Sequence, residues 1–194
     1  MSSVERFRAY HSESLEIIQE LGSDEIFLSN FAAMVDLCVA TLKNGNRIFT
    51  AGNGGSHADA LHIAGELVNY FTREHPPYSV IALGSNGAVQ SAWANDHEFE
   101  TQLSRELTAY GRPNDLVIAI TTSGKSRNIH CLINQAVSLN VRTAVLTGAK
   151  GKESLPQVDL CLSVNSISTP HIQEGHILIY HALCAEIEFQ LSRY

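Results

Sequence analysis

The sequence has little basic charge, and it lacks both a leader-like N-terminus and a long apolar run. Thirteen Lys and Arg stand against 20 Asp and Glu, which gives a formal net charge of −7. Because non-specific binding to nucleic acid needs a basic surface, this balance disfavours it. The opening residues, MSSVERFRAYHSESLE, contain no apolar core of the signal-peptide type, and no apolar run approaches the roughly 20 residues of a membrane span. We therefore expect a cytoplasmic protein that binds neither nucleic acid nor membrane.

Cysteine is also scarce, and its four positions are far apart. No C-x-x-C pair occurs, so the usual spacing of a zinc or redox motif is missing. The cysteines stand in apolar contexts such as VDLCVATL and DLCLSV, which predicts buried, reduced thiols. The four are Cys38, Cys131, Cys161 and Cys184.

Residues 3 to about 45 are predicted to be helical. GSDE at 22–25 interrupts the first helical pattern, with Ser23 as the expected N-cap of the next helix. The second segment, Ile26 to Leu42, is apolar on more than one side, so it needs cover on two faces. A central core helix within one chain and a contact between subunits both provide such cover, and the sequence alone favours neither.

From Asn46 onward, short apolar runs alternate with longer helical stretches. This alternation predicts an α/β fold, doubly wound, with a five-stranded parallel sheet. The predicted strands are RIFTAG (47–52), YSVIALG (78–84), DLVIAIT (115–121), RTAVLTG (142–148) and DLCLSV (159–164). The predicted helices cover 57–71, 88–110, 126–139 and 171–192. Because 194 residues without a linker or repeat suit one domain, we expect a single domain over 1–194, with N-terminal helices at 1–45 and the α/β core at 46–194.

A glycine-rich turn, GNGGS at 52–56, follows the first predicted strand. Glycine lets the backbone approach an anion closely, and the next helix offers free N–H groups. No Gly-Lys-Ser/Thr follows and the G-x-G-x-x-G spacing is absent, so neither a P-loop nor a dinucleotide fingerprint is present. Ligands of doubly wound sheets bind at the carboxyl ends of the strands, which is where this turn lies. A plain structural turn is the alternative.

A hydroxyl-rich loop, TTSGKS at 121–126, follows the third predicted strand. A helix cap explains one hydroxyl, whereas this loop has four, so we favour a phosphate site. The second predicted strand leads instead to Asn95-Asp96. That polar pair is typical of a helix cap or a loop, and in a sugar site it would bind hydroxyl groups.

Two helices carry side chains suited to proton transfer or metal binding. His62 and Glu66 are four residues apart in the helix after the glycine turn, so they share one face. A solvated surface pair is the alternative. The last helix places Gln173 and His181 eight residues apart, which offsets them by roughly 80° and lets both line one groove without touching. Its other polar residues, to which spacing assigns no role, include His171, Glu174 and His176.

Taken together, these motifs make the chain similar to a sugar isomerase (SIS) domain. GNGGSHADALHIAGEL, Asn95-Asp96, TTSGKS and IQEGHILIYH resemble segments of the bacterial phosphoheptose isomerases, and the resemblance covers nearly the whole chain. It implies an aldose–ketose isomerase that converts sedoheptulose 7-phosphate to D-glycero-D-manno-heptose 7-phosphate through an enediol, the first step toward ADP- or GDP-heptose. It also implies a homotetramer with sites between subunits and one Zn²⁺ per subunit.

The resemblance further implies a role for each matching residue. Glu66 and His181 would be the acid–base pair, with Glu66 preferred for the carbon-bound proton and an exchange of roles left open. The residues implied for phosphate are Thr121, Thr122, Ser123, Ser126 and Ser56. Those implied along the sugar are Asn53, Gly54, Gly55, Asn95, Asp96, Glu66 and Gln173. Those implied for zinc are His62, Glu66, Gln173 and His181.

Three positions depart from the family pattern. Gly65 stands where a second acidic residue is common, Pro170-His171 where Asp-Arg is common, and Lys125 where Asn is common. An isomerase of a different phosphosugar is therefore one alternative. A second is a non-catalytic tetramer that binds a replication initiator, but such relatives lack the His and Glu that this chain keeps after GNG. A sugar-phosphate-sensing regulator would need a DNA-binding domain, for which we expect no room in 194 residues.

Overall fold

The computed structural model describes residues 1–192 and contains one five-stranded sheet in which all strands are parallel. The strand order is β2-β1-β3-β4-β5. The strands are β1 (Ile48–Gly52), β2 (Val80–Ala82), β3 (Leu116–Thr121), β4 (Arg142–Gly148) and β5 (Leu160–Val164). The predicted fold class is confirmed, and four strands begin and end within a residue of their predicted bounds. Strand β2 is shorter than predicted because it pairs on one side only, with β1.

Seven α-helices accompany the sheet in the described part of the chain. They are α1 (Ser3–Leu21), α2 (Glu25–Lys43), α3 (Gly55–Val68), α4 (Gly87–Asp96), α5 (Gln102–Tyr110), α6 (Arg127–Ser138) and α7 (Thr169–Leu191). The prediction of one helix over 88–110 was wrong, because His97 and Glu98 are extended and a 3₁₀ turn follows at Phe99–Thr101. The predicted N-cap Ser23 was also wrong. The carboxylate of Asp24 accepts from the first N–H groups of α2, while the Ser23 hydroxyl donates back to α1.

The sheet separates two apolar layers. Alternate strand residues, such as Ile118 and Ile120, pack on one face together with α1, α2, α3 and α7. The intervening residues, such as Val117 and Ala119, pack on the other face against α5 and α6. Parallel strands buried on both faces read as continuous apolar runs, which is why the sequence predicts them well. The carboxyl ends of all five strands therefore open on one edge, where the loops of interest begin.

Helix α2 is apolar enough to need an explanation. By length and composition alone it could cross a membrane, with a mean hydropathy of 1.5, so our statement that no apolar run approaches that length was wrong. In the structure Met34 and Cys38 of α2 are fully buried, and the helix packs on α7 and β5. Ile26 and Leu28 are left exposed. One side of α2 is therefore core, while part of its other side has no cover from residues 1–192.

The cysteines behave as separate thiols. Cys38 and Cys184 are buried, whereas Cys131 and Cys161 are half-buried, and all four are free. Burial raises the pKa of the Cys38 thiol to about 12, so it stays protonated at neutral pH. The prediction of reduced thiols is confirmed, although only two of the four are fully buried.

Candidate functional site

Helices α3 and α7 lie side by side and run in the same direction. Gly55, at the start of α3, lies against Gln173 near the start of α7, and His62 further along lies against Tyr180. A Cβ on Gly55 would lie 2.3 Å from Nε2 of Gln173, so a larger residue would push that amide away. Gly54 has φ of +55°, which glycine adopts without strain. The glycine turn thus allows the first turns of the two helices to meet closely.

His62, Glu66 and His181 form a group that we name the His62 cluster. Nε2 of His62 lies 2.8 Å from Oε1 of Glu66, and the rings of His62 and His181 have centroids 5.1 Å apart. Phe71 stacks on His181 with a centroid distance of 5.3 Å. The side chains of His62 and Glu66 are 44% and 23% exposed, so a ligand can reach them from solvent. The proposed acid and base thus come from separate helices and share His62 as a neighbour.

Gln173 stands apart from the His62 cluster. It precedes His181 by eight residues, or about 12 Å along the helix axis, and its amide contacts Gly55. Among residues 1–192, no three His, Cys, Asp or Glu side chains are arranged to hold one metal ion. Two of the predicted zinc donors, Nε2 of His62 and Oε1 of Glu66, are hydrogen-bonded to each other. The four predicted ligands are of types that zinc accepts, but in this single chain they do not form a coordination sphere.

A cleft of about 170 Å³ lies where the loops leave β3, β4 and β5. We name it the lysine cleft; its lining is Thr122, Ser123, Lys125, Lys150, Ser166, Ile167, Thr169 and Ile172. Two of the hydroxyl residues predicted for phosphate, Thr122 and Ser123, therefore line one cavity. Two ammonium groups give this cavity a positive charge in a chain whose formal net charge is −7. Hydroxyl and ammonium donors at the carboxyl ends of parallel strands suit a phosphate.

The other residues predicted near the phosphate do not line this cleft. Thr121 and Ser56 are each 4% exposed, which gives a ligand little access to their hydroxyls. Ser126 is half-buried and precedes α6, but its hydroxyl makes no capping bond. Asn53, predicted along the sugar, exchanges two side-chain hydrogen bonds with Asn128, at 2.8 and 2.7 Å. Its amide is therefore directed at α6.

The remaining predicted sugar contacts, Asn95 and Asp96, lie at the end of α4. Nδ2 of Asn95 donates to Oδ1 of Asp96 at 2.8 Å. Both residues are exposed, and neither belongs to the lining of the lysine cleft. Asn95 and Asp96 therefore contact each other, but they do not join the lysine cleft. Their contact with a sugar stays a prediction.

Three polar residues of the lysine cleft are not predicted by the sequence reasoning. Lys150 follows β4, while Ser166 and Thr169 lie between β5 and α7. Loops at the carboxyl ends of neighbouring parallel strands share a ligand in doubly wound folds, so TGAKG directly after β4 was the available signal.

Two buried polar residues beside the His62 cluster were also missed. The hydroxyl of Tyr180 lies 2.9 Å from Nδ1 of His62, and Tyr180 is only 1% exposed. The buried carboxylate of Asp59 is a neighbour of the same side chain. Burial raises the pKa of Asp59 to about 6, against the opposing influence of His62 and Tyr180. Burial, followed by the charge of Asp59, likewise raises the pKa of Tyr180.

The other polar residues of α7 fall into two groups. His176 is fully buried, and burial lowers its pKa to about 4, so the ring is neutral and its Nε2–H donates to the carbonyl of Thr147 at 3.2 Å. His171 and Glu174 face α1 instead, where the Ser14 hydroxyl contacts both. Neither group belongs to the His62 cluster, so α7 turns only some of its polar residues toward α3.

The fold and the cleft together define an α/β domain of the sugar isomerase class. The SIS domain family matches residues 9–148. The chain is 36% identical over 180 residues to the phosphoheptose isomerase of Burkholderia pseudomallei strain 1710b, which covers 93% of this chain and 91% of the relative. It is 41% identical over 155 residues to that of Akkermansia muciniphila, covering 80% and 82%.

A solved structure of a phosphoheptose isomerase from Francisella tularensis has the same fold. Its TM-score against this chain is 0.91 at 32% identity, over 96% of this chain and 98% of that one. The sequence matches and this structural match agree along nearly the full chain. The chain therefore belongs to the phosphoheptose isomerase family of SIS domains.

Proposed function

We infer that the chain is an aldose–ketose isomerase that converts sedoheptulose 7-phosphate to D-glycero-D-manno-heptose 7-phosphate. The observation that carries this inference is the His62 cluster, in which a carboxylate and a second imidazole both lie against His62. An enediol mechanism needs one group to move a proton at carbon and another to move a proton at oxygen. Relatives named phosphoheptose isomerase, matched over most of the chain, support this substrate.

Glu66 is our candidate for the proton that moves between C1 and C2. His62 holds its carboxylate at 2.8 Å, and the side chain is partly exposed, so it is oriented and still accessible. His181 is our candidate for the proton that moves between the two oxygens, because an imidazole changes charge near neutral pH.

The lysine cleft is our proposed site for the substrate phosphate. The hydroxyls of Thr122 and Ser123 supply neutral donors, while Lys125 and Lys150 supply charged ones. A phosphate held at this point would anchor the sugar and limit the positions that C1 and C2 can take. Asn53, Gly54 and Gly55 would then lie along the chain of the sugar, as the family resemblance implies.

We further propose a homotetramer in which neighbouring subunits share each site. Ile172 lines the lysine cleft, and His181 follows it by nine residues, or about 14 Å along α7. Within one chain, a ligand can reach both the lysine cleft and the His62 cluster only if it lies along α7. In an oligomer, the lysine cleft of a second subunit can lie next to the His62 cluster of the first. Exposed apolar side chains on α3 and α7 favour such a contact. They are Leu61, Val68, Ile177 and Leu178.

Zinc is a further part of the proposal. His62, Glu66 and His181 would hold the ion, and Gln173 would join them only after its amide leaves Gly55. The hydrogen bond between His62 and Glu66 would open on binding, because both of its atoms are the proposed donors. Such an ion would polarise the oxygens of the substrate.

Two alternatives make different predictions. A protein that binds a replication initiator would not isomerise a phosphosugar, and the accessible pair of His62 and Glu66 speaks against that function. An isomerase of another phosphosugar would differ at the far end of the substrate, and Lys125 in the lysine cleft departs from the family pattern. His171 departs from it too, but it is buried against α1. A cytoplasmic location and a role in supplying heptose for lipopolysaccharide are expectations from the family.

A panel of phosphorylated ketoses, followed by NMR of the aldose products, tests this function. We expect D-glycero-D-manno-heptose 7-phosphate from sedoheptulose 7-phosphate, and slower turnover of pentulose and hexulose phosphates. If the protein turns over only a different ketose phosphate, the proposed substrate is wrong and the proposed isomerase reaction is right. If the protein turns over no ketose phosphate and specifically captures a replication initiator, the isomerase function is wrong and the binding function is right.

A further inference from the structure

Tyr180 contacts the His62 cluster from its buried side. Its hydroxyl lies 2.9 Å from Nδ1 of His62, on the opposite edge of the ring from Glu66. The side chain is 1% exposed and its ring belongs to the apolar core between α3 and α7. A core position would be filled equally well by phenylalanine, so the hydroxyl itself needs an account.

The hydrogen-bond roles within this group follow from chemistry. An ionised carboxylate only accepts, so the 2.8 Å contact with Glu66 requires the proton on Nε2 of His62. Nδ1 of a neutral ring is then an acceptor, and the Tyr180 hydroxyl donates to it. Two hydrogen bonds on opposite edges fix both the plane and the tautomer of the imidazole. A single bond to the partly exposed Glu66 would leave the ring free to turn about that contact.

Asp59, on α3, is a further buried polar group next to Tyr180. Its Oδ2 is buried with no hydrogen-bond partner among residues 1–192. The contact that positions the Tyr180 hydroxyl is therefore the one with Nδ1 of His62.

We propose that Tyr180 is a positioning residue for the isomerase site. Its hydroxyl holds the plane of the His62 ring so that Nε2 faces Glu66, and in the metal-free protein Nε2–H orients that carboxylate. This role rests on the proposed isomerase function, because it acts through Glu66. Loss of a partner that orients a metal-ligating histidine costs roughly 10- to 100-fold in metal affinity or activity, and we expect an effect of that size here.

Tyr180→Phe tests the role, because it removes the hydroxyl and keeps the ring. We expect kcat to fall by about tenfold or more, with KM changed by less than about twofold, since the substrate-binding groups stay intact. Tyr78→Phe is the matched control: Tyr78 stacks on His75, away from the His62 cluster. Both kinetic constants of that control should stay within about twofold of the parent. A Tyr180→Phe enzyme with parental kcat would overturn the proposal.

A spectroscopic measurement separates positioning from simple packing. In protein labelled with ¹⁵N-histidine, the Nδ1 resonance of His62, assigned by its loss in His62→Gln, should move when Tyr180 becomes Phe and stay in Tyr78→Phe. An unmoved resonance would show that the hydroxyl does not engage His62. This readout does not depend on substrate, so it stays valid if the wild-type protein isomerises no heptulose phosphate. If Tyr180→Phe fails to fold, the Nδ1 resonance of His62 in the wild-type protein tests the proposal by itself. A chemical shift typical of an Nδ1 without a hydrogen bond would contradict the proposal.

Discussion

Glu66 on α3 and His181 on α7 both lie against the ring of His62. Glu66 is hydrogen-bonded to Nε2 at 2.8 Å, and the His181 ring centroid is 5.1 Å from that of His62. The two side chains therefore occupy one surface although 115 residues separate them in sequence. Parallel packing of α3 on α7 is what brings them together, so the packing of these helices matters to chemistry as well as to stability.

Glu66→Gln and His181→Ala should each lower kcat by about 10² or more, because each removes a group that transfers a proton. Stability should change little, since Glu66 is partly exposed and His181 is half-buried. Steady-state kinetics with purified protein, beside thermal unfolding, measures both effects. His11→Ala, on the exposed face of α1, is the control. Near-normal kcat in either site variant would remove that residue from the mechanism.

Much of the fold could be predicted because burial leaves a direct mark on the sequence. Strands β1 and β3 are buried at every position and β4 at all but its first, and their residues are mostly apolar, as in strands covered on both faces. The break between α4 and α5 is marked in the sequence only by the weak helix formers Asn95 and Asp96, and the extended backbone of His97 and Glu98 then ends the first helix. Local sequence does not determine such a turn.

The site was only partly predictable, for a different reason. His62 and Glu66 share a helix face, so their spacing reveals them. Tyr180 lies within the apolar run ILIY and looks like a core residue, and its polar contact exists only once α7 packs on α3. Lys150 likewise joins Lys125 only through the parallel pairing of β3 and β4. Contacts that depend on tertiary packing leave no spacing pattern along the chain.

Lys125→Ala and Lys150→Ala should each raise KM for a phosphorylated substrate by about fivefold, because a lost hydrogen bond to a charged partner costs on the order of 1 kcal/mol at an exposed site. The effect should shrink as salt is added, since salt screens exposed charges. Lys152→Ala is the matched control, because Lys152 is exposed nearby but does not line the cleft. Equal KM values in the cleft variants and the control would exclude the lysine cleft as the phosphate site.

Two glycines of α3 should respond to alanine in opposite ways. At Gly55 a Cβ would lie 2.3 Å from Nε2 of Gln173, so we expect Gly55→Ala to displace that amide and lower kcat/KM. At Gly65 a Cβ would meet nothing within 4 Å, so Gly65→Ala should stabilise the helix by about 0.5–1 kcal/mol. Kinetics and chemical unfolding of both variants measure this contrast. Full activity in Gly55→Ala would show that the position of Gln173 is irrelevant to catalysis.

Removal of metal should lower turnover by about tenfold or more if zinc polarises the substrate oxygens, and added Zn²⁺ should restore it. Elemental analysis after chelation establishes that the ion has been removed. His62→Gln should bind less zinc than the parent protein, whereas His11→Gln, on the exposed part of α1, should bind the same amount. Unchanged turnover in protein proven to be metal-free would withdraw zinc from the proposed mechanism.

Asp59 and His176 should give stability opposite dependences on pH. Burial raises the pKa of Asp59 from 3.8 to about 6, so between these values the folded state binds more protons, and the free energy of unfolding falls as pH rises. Burial lowers the pKa of His176 from 6.5 to about 4, so there the unfolded state binds more protons, and the free energy of unfolding rises with pH. In the shared window the two effects largely cancel.

Asp59→Asn should remove one of these two opposing effects on the free energy of unfolding and leave the effect of His176. Its free energy of unfolding, relative to the parent, should increase by about 3 kcal/mol between about pH 4 and about pH 6, since each pKa unit corresponds to about 1.4 kcal/mol. His176→Gln should show the reverse trend, gaining relative to the parent as pH falls from 6.5 toward 4. Urea unfolding at fixed protein concentration across this range measures both differences. A pH-independent difference for Asp59→Asn would mean that Asp59 titrates in the folded protein as it does in the unfolded chain, and that its burial beside Tyr180 does not disfavour its charge.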